Sequence, residues 1–84
     1  MRLRGNDLFW RESGDEIVAL DAEMSRYVLA NPTGAALWNL LSESASEADL
    51  VDALCARFEV SRGVAEADVA AFLEKLSSRG LLEP

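Results

Sequence analysis

The chain has 84 residues, 27% of them charged and 50% hydrophobic, a size that predicts one domain over residues 1–84. The formal net charge of −7 opposes nucleic-acid binding, because that binding rests largely on basic side chains that neutralise phosphates. No apolar run is long enough to span a membrane and no signal-peptide pattern is present, so we expect a cytoplasmic protein with no membrane partner.

Three short strands are predicted in the first part of the chain, at about residues 7–12, at Ile17–Leu20 and at Arg26–Ala30. Turn chemistry at Ser13–Asp15 separates the first two strands, and the longer connection Asp21–Ser25 separates the second from the third. Short connections favour an antiparallel meander, in which the third strand lies at an edge of the sheet.

Both faces of the third predicted strand are apolar. Tyr27 and Leu29 share one face, and Val28 and Ala30 share the other. An edge strand with one face in water does not need this pattern, so we expect the third helix to cover the second face. Two explanations remain open: packing of the core alone, or a groove between this strand and the third helix that receives a partner.

The remaining sequence predicts three helices, the first two with recognisable starts. Asn31 can cap the first helix, with Pro32 in its first turn. Ser46 and Asp49 resemble a capping box at the start of the second helix, with Asp in place of the usual Glu.

The third helix is predicted over about residues 64–79, and it ends at Gly80, which suits a left-handed helix cap. Leu81 can then fold back onto Leu76 in a Schellman motif. Apolar residues recur at helical spacing in all three helices, so each helix buries one face. These faces contain Gly34, Leu37, Trp38 and Leu41 in the first helix; Val51, Leu54, Cys55 and Phe58 in the second; and Val69, Phe72, Leu73 and Leu76 in the third.

Three strands followed by three helices make an α+β domain of winged-helix type, with a three-stranded antiparallel sheet and the order β-β-β-α-α-α. Winged-helix domains often bind DNA, which is one alternative function. However, the third helix contains three acidic residues among its few charges, a poor match for phosphate. A second alternative is a small dimerising structural domain whose third strand pairs with its own copy.

The residues give no support to catalysis. The sequence contains no histidine, the commonest general base and metal ligand, and its only cysteine is Cys55. A lone cysteine on the apolar face of a helix is expected to be a buried core residue. We therefore expect a protein that is not an enzyme and binds no cofactor and no metal.

Three segments in this order resemble the PqqD-like proteins, the recognition elements for precursors of ribosomally made, modified peptides. The segments are "RYVLANPTGAALWNLL", "SEADLVDALCARF" and "AEADVAAFLEKLSSRGLL". The resemblance covers about residues 8–82 and includes the B1 proteins of lasso-peptide pathways and PqqD of pyrroloquinoline quinone synthesis. It implies a protein that does not turn over a substrate. We expect this protein to be a monomer or a weak dimer.

The resemblance also implies a function and a site. The protein would bind the leader segment of a precursor peptide as a strand added to the third strand, and deliver it to a maturation enzyme: a leader protease, a cyclase or a radical enzyme. Leader side chains would enter a groove against the third helix. The implied peptide-binding residues are Arg26, Tyr27, Val28, Leu29 and Ala30 on the strand, and Asp68, Val69, Phe72, Leu73, Lys75 and Leu76 on the helix.

Overall fold

The computed structural model describes residues 1–83, which form five strands and three helices. The predicted order of three strands and then three helices is confirmed, and two very short strands near the ends of the chain were not predicted. The strands are β1 (Arg2–Leu3), β2 (Leu8–Ser13), β3 (Glu16–Asp21), β4 (Arg26–Ala30) and β5 (Leu82–Glu83). The helices are α1 (Pro32–Leu41), α2 (Glu47–Arg57) and α3 (Arg62–Ser78).

The main sheet is the expected antiparallel meander, in the order β2-β3-β4. A two-residue turn joins β2 to β3, with Gly14 at a φ of +65°. Glycine adopts this left-handed conformation without steric penalty, and its position as the first turn residue is typical of a type II′ hairpin. The third predicted strand is β4, and it lies at an edge of this sheet as expected.

Local capping explains where the helices begin and end. The Asn31 side chain accepts a hydrogen bond from the Gly34 amide at 2.9 Å, and both bonds of the Ser46–Asp49 capping box are present. α3 begins two residues earlier than predicted because Ser61 caps it. Its C-terminus is the predicted Schellman motif, which consists of Gly80 at a φ of +69°, a bond from the Leu81 amide to the Leu76 carbonyl at 3.0 Å, and a bond from the Gly80 amide to the Ser77 carbonyl at 3.0 Å.

The three helices lie on one side of the sheet, around a single core. α1 packs on β3 and β4, α2 packs on α1, and α3 packs on α2. Trp38 of α1 is fully buried at the centre, and Trp10 of β2 packs against it edge to face, with ring centroids 6.1 Å apart. Cys55 packs against the core as expected, but at its margin, where it is half-buried and not buried.

A second, two-stranded sheet joins the two ends of the described chain. Arg2 pairs with Glu83 and Leu3 pairs with Leu82 in an antiparallel arrangement. Strands of two residues are too short to show the alternation of apolar and polar residues that identifies a strand in a sequence. The structure therefore contains a pairing that the sequence pattern could not reveal.

Arg4 ties three distant parts of the chain together. Its guanidinium donates to the Asp21 carboxylate at 2.7 Å and to the Gly80 carbonyl at 3.2 Å. Asp21, only 1% exposed at the end of β3, also accepts a bond from the Met24 amide at 3.3 Å. The pair thus fixes the β3–β4 turn, and with it the start of the edge strand, against the end of α3.

The Arg4–Asp21 pair predicts a stability contribution that acid removes. The pKa of the Asp21 carboxyl lies below its ordinary value of 3.8. The main cause is the hydrogen bond from Arg4. The bond from the Met24 amide also lowers this pKa, whereas burial opposes the shift. The folded pKa lies below the unfolded value, so the contribution is complete above pH 3.8 and is lost as the pH falls through the folded pKa. We expect Asp21→Asn to lower the melting temperature at neutral pH and to flatten its fall in acid.

Thermal unfolding followed by circular dichroism from about pH 7 down to about pH 2 measures this effect. Asp52→Asn is the matched control, because Asp52 pairs with Arg62 on the surface, where both side chains are more than half exposed. The melting temperature of the control should be nearly equal to that of the original chain at each pH. An unchanged acid dependence in Asp21→Asn would show that another carboxyl is responsible.

Candidate functional site

The alternation of hydrogen-bonded and non-bonded residue pairs in the sheet determines which backbone groups of β4 are free. The Ala22 amide donates to the Asp7 carbonyl at 2.8 Å, immediately beyond the β2–β3 ladder. Bonded and non-bonded pairs alternate along an antiparallel ladder, so Ala19 of β3 directs its backbone groups away from β2 and toward β4. Ala19 is opposite Val28 in the register. Val28 is therefore bonded inside the sheet, and its two neighbours direct their amides and carbonyls outward.

Those neighbours, Tyr27 and Leu29, form a free peptide-pairing edge. No other strand among residues 1–83 pairs with this side of β4. The Tyr27 and Leu29 side chains are 69% and 66% exposed on the outer face of the sheet, whereas Val28 and Ala30 are buried on the inner face. An unpaired edge with exposed apolar side chains is a template for a further strand.

The expected cover by α3 of the second face of β4 was wrong. α3 packs on α2, on the same side of the sheet as α1, and leaves the Tyr27–Leu29 face open. The apolar residues of this face therefore do not belong to the core. Of the two explanations that the sequence left open, packing of the core alone does not account for Tyr27 and Leu29.

A groove of about 360 Å³ lies beside the free edge, between the end of β4 and α3. Leu29 and Ala30 line it on the strand side, and Phe72 and Lys75 line it on the helix side. An adjoining recess of about 310 Å³ is lined by Asp68 together with the same Phe72 and Lys75. Phe72, half-buried, stands between the two spaces. We call the two spaces together the edge groove.

The structure divides the predicted helix residues into two groups. Asp68, Phe72 and Lys75 line the edge groove, whereas Val69 and Leu76 are fully buried in the core. The other predicted residues differ in position: Leu73 is half-buried against the core and does not line the groove, and Arg26 is exposed at the start of β4.

Several groove residues at the start of α1 were not predicted as site residues. Asn31 and Gly34 line both parts of the edge groove, one turn apart at the start of the helix. An ideal Cβ on Gly34 would lie 3.1 Å from Cε1 of Phe72, closer than an ordinary contact between carbon atoms. The missing side chain therefore makes room for the Phe72 ring. The signal was available in the sequence, because these residues directly follow the edge strand.

The outer face of the sheet is a second apolar surface. Phe9, Leu20 and Tyr27 form one row across the three strands, and Arg11, Val18 and Leu29 form the next row. Phe9 is 62% exposed, while Leu20 and Val18 are half-buried. No helix of the described chain lies on this face, and the row that contains Tyr27 reaches the free edge.

Two kinds of feature are absent from the described part of the chain. Among residues 1–83, no group of three acidic or cysteine side chains is placed to hold a metal ion. None of the helices in this range has the length and apolar character needed to cross a membrane.

Comparison with known proteins connects this geometry to a family. The family described as Coenzyme PQQ synthesis protein D (PqqD) matches residues 16–82. The chain belongs to the PqqD family. The match includes β3, the edge strand β4 and all three helices, and therefore the edge strand and the whole helical side of the groove. A comparison with curated protein sequences finds no match.

Two solved structures resemble this PqqD-family chain over nearly its whole length. TbiB1, in complex with the TbiA(beta) leader peptide, is 31% identical, with a TM-score of 0.89 over 99% of this chain and 95% of that one. A lasso peptide synthetase B1, complexed with the leader peptide, is also 31% identical, with a TM-score of 0.84 over 99% of this chain and 96% of that one. Each of these relatives was solved with a peptide bound.

Proposed function

We propose that this PqqD-family chain binds the leader segment of a ribosomally made precursor peptide as a fourth strand along β4. The observation that carries the proposal is the free edge at Tyr27 and Leu29 beside the edge groove. Main-chain bonds to the edge would provide affinity, and alternate leader side chains would enter the groove. The leader complexes of the two relatives support this function.

The proposed contacts follow from what each side chain exposes. Tyr27 and Leu29 bind through their backbone and their exposed side chains, while Phe72, Lys75 and Asp68 receive the leader side chains that enter the groove. The remaining predicted residues contribute indirectly, because their buried side chains pack beneath the groove and hold β4 and α3 in position. These residues are Val28, Ala30, Val69 and Leu76. Arg26 and Leu73 remain predicted contacts at the margins.

The second half of the proposal is delivery of the leader to a maturation enzyme: a leader protease, a cyclase or a radical enzyme. The outer face of the sheet, with Phe9, Leu20 and Tyr27, is the surface best suited to that enzyme. A leader strand paired with β4 would extend the outer face of the sheet. The enzyme would therefore contact both this protein and the bound leader. The lasso peptide synthetase relative favours a lasso-type precursor.

We infer that the chain has no catalytic activity of its own and acts in the cytoplasm as a monomer or a weak dimer. The absence of histidine and the half-buried, isolated Cys55 support a non-catalytic role. The net charge of −7 opposes tight pairing of two copies through the outer face.

Calorimetric titration with the cognate leader tests the proposal. We expect a dissociation constant of about 1 µM or tighter, as is typical of strand addition with one or two apolar anchors. A leader of the same composition in scrambled order is the control. Absence of heat with the correct leader at several temperatures would contradict the proposal.

Gly34→Ala tests whether the Phe72 ring shapes the groove. The added methyl group, 3.1 Å from Cε1 of Phe72, should tilt the ring into the groove and lower leader affinity by up to about tenfold. Folding should change by no more than about 1 kcal/mol, because alanine's better helix propensity offsets the crowding. Gly63→Ala in α3 is the matched control, since an added Cβ there meets nothing within 4 Å. Equal affinities of both variants would show that the ring position does not matter.

A further inference from the structure

A second groove lies on the side of α1 opposite to the edge groove. It has a volume of about 410 Å³ and runs between α1, the end of α2 and the tip of the β2–β3 hairpin. Its floor is apolar, with Ile17, Ala35 and Ala36 buried and Phe58 half-buried. We call this space the hairpin groove. Apart from Glu16 and Ile17, none of its lining residues belongs to the edge groove of the leader site proposed above.

The rim of the hairpin groove is mainly acidic. Glu12, Asp15 and Glu16 are exposed on the hairpin side, and Arg57 at the end of α2 is the only basic residue in the lining. No ion pair within residues 1–83 involves any of these three carboxylates. Glu12 is held in place by the Asn39 side-chain amide, which donates to its carboxylate at 3.2 Å. The groove therefore combines an apolar floor with carboxylates that have no ion-pair partner. This combination is complementary to a ligand with a basic side chain next to an apolar one.

The hairpin groove adjoins the edge groove. Glu16 and Ile17 line both spaces, and Ile17 pairs with Ala30 at the end of β4. A peptide that follows β4, continues past Ala30 and turns toward β3 would reach the hairpin tip and, beyond it, the acidic rim. The floor and the acidic rim of the hairpin groove would then contact the segment of the peptide that directly follows or precedes the strand paired with β4.

We propose that the hairpin groove binds a basic segment of the same precursor, containing lysine or arginine beside an apolar residue and adjoining the strand bound on β4. This inference rests on the proposed function for the identity of the occupant. The groove would add a second, charge-selective contact to the recognition of the precursor, separate from the main-chain pairing at the edge.

Nuclear magnetic resonance titration with two synthetic probes tests the groove by itself. The probes are acetylated, amidated tetrapeptides of sequence Leu-Lys-Leu-Lys and Leu-Glu-Leu-Glu. We expect only the lysine probe to shift the backbone amides of Ala36, Asn39 and Arg57. Glu12→Gln with Asp15→Asn should weaken that binding about fivefold, as expected for two partly exposed ion pairs.

These two substitutions spare the fold and the shared residue Glu16. The amide oxygen introduced by Glu12→Gln would still accept the Asn39 bond, and the asparagine introduced by Asp15→Asn suits a turn position. The matched control, Glu43→Gln with Glu74→Gln, changes the net charge equally at exposed sites outside both grooves. Equal weakening in both double variants, or shifts confined to another surface, would overturn the proposal by showing general attraction to an acidic protein.

A double-mutant cycle with the cognate precursor tests the identity of the occupant. Replacing the basic residues next to the leader strand by glutamine should weaken binding to the original chain about fivefold, and should have less than about a twofold effect on the Glu12→Gln, Asp15→Asn variant. Equal effects on both chains would overturn the proposal. If the precursor does not bind at all while the lysine probe still maps to the groove, the proposed function fails and the groove's charge selectivity stands.

Discussion

Leu29→Pro is expected to leave the domain folded and to weaken leader binding by about 1.5–3 kcal/mol, a loss of roughly 10- to 100-fold. The Leu29 amide points to the free edge, so proline removes a bond that only the leader would use, and its ring obstructs the incoming strand. Proline is tolerated on an edge strand in this position, and Val28 before it already has the extended conformation that proline requires.

Val28→Pro should have the opposite effect. The Val28 amide is bonded inside the ladder and its side chain is buried, so the substitution should destabilise folding by roughly 2–4 kcal/mol. Leu29→Ala is the control for the loss of the Leu29 side chain, because it keeps the amide. Urea unfolding and calorimetry on all three variants separate the two effects. Equal leader affinity of the folded Leu29→Pro and Leu29→Ala chains would place the leader elsewhere.

Phe72→Ala is expected to weaken leader binding by about 1–3 kcal/mol, the range for removing an aromatic anchor from the centre of an interface. The ring is the largest apolar group shared by both parts of the edge groove. Because it is half-buried against the core, the substitution also lowers stability, and affinities must be compared at a temperature where the variant is fully folded.

Phe9→Ala is the matched control for this substitution. Phe9 is 62% exposed on the outer face and lines no part of the edge groove, so its removal should leave leader affinity unchanged. In an assay that includes the maturation enzyme, however, we expect Phe9→Ala to reduce processing of the bound precursor. Leader affinities that fall equally in both variants would contradict the assignment of the groove.

Features that depend on neighbouring residues were predictable from the sequence. The Asn31 cap, the Ser46–Asp49 capping box and the Schellman motif at Gly80 are each specified within a few residues, and all are present. The same holds for the meander, whose short connections leave few alternatives. Periodicity also identified Val69 and Leu76 as inward-facing residues, although it could not separate groove from core.

Features that depend on distant contacts were not predictable in this way. The role of Arg4 requires Asp21 and Gly80 to meet at one point, and nothing within a short window of sequence indicates this. The prediction that α3 covers the second face of β4 was wrong for the same reason. The packing order of the helices decides which face of the sheet is open, and helical spacing describes only one helix at a time.

The pairing of β1 with β5 has a practical consequence for building chimeras. Arg2 and Glu83 are cross-strand partners, which places their Cα atoms about 4.5–5.5 Å apart. A linker of a few glycines could therefore join Arg2 to Glu83 in a circular backbone, which could be reopened in the loop before α3. A host enzyme could equally receive the domain as an insertion at a single surface loop, with the peptide-pairing edge of β4 left untouched.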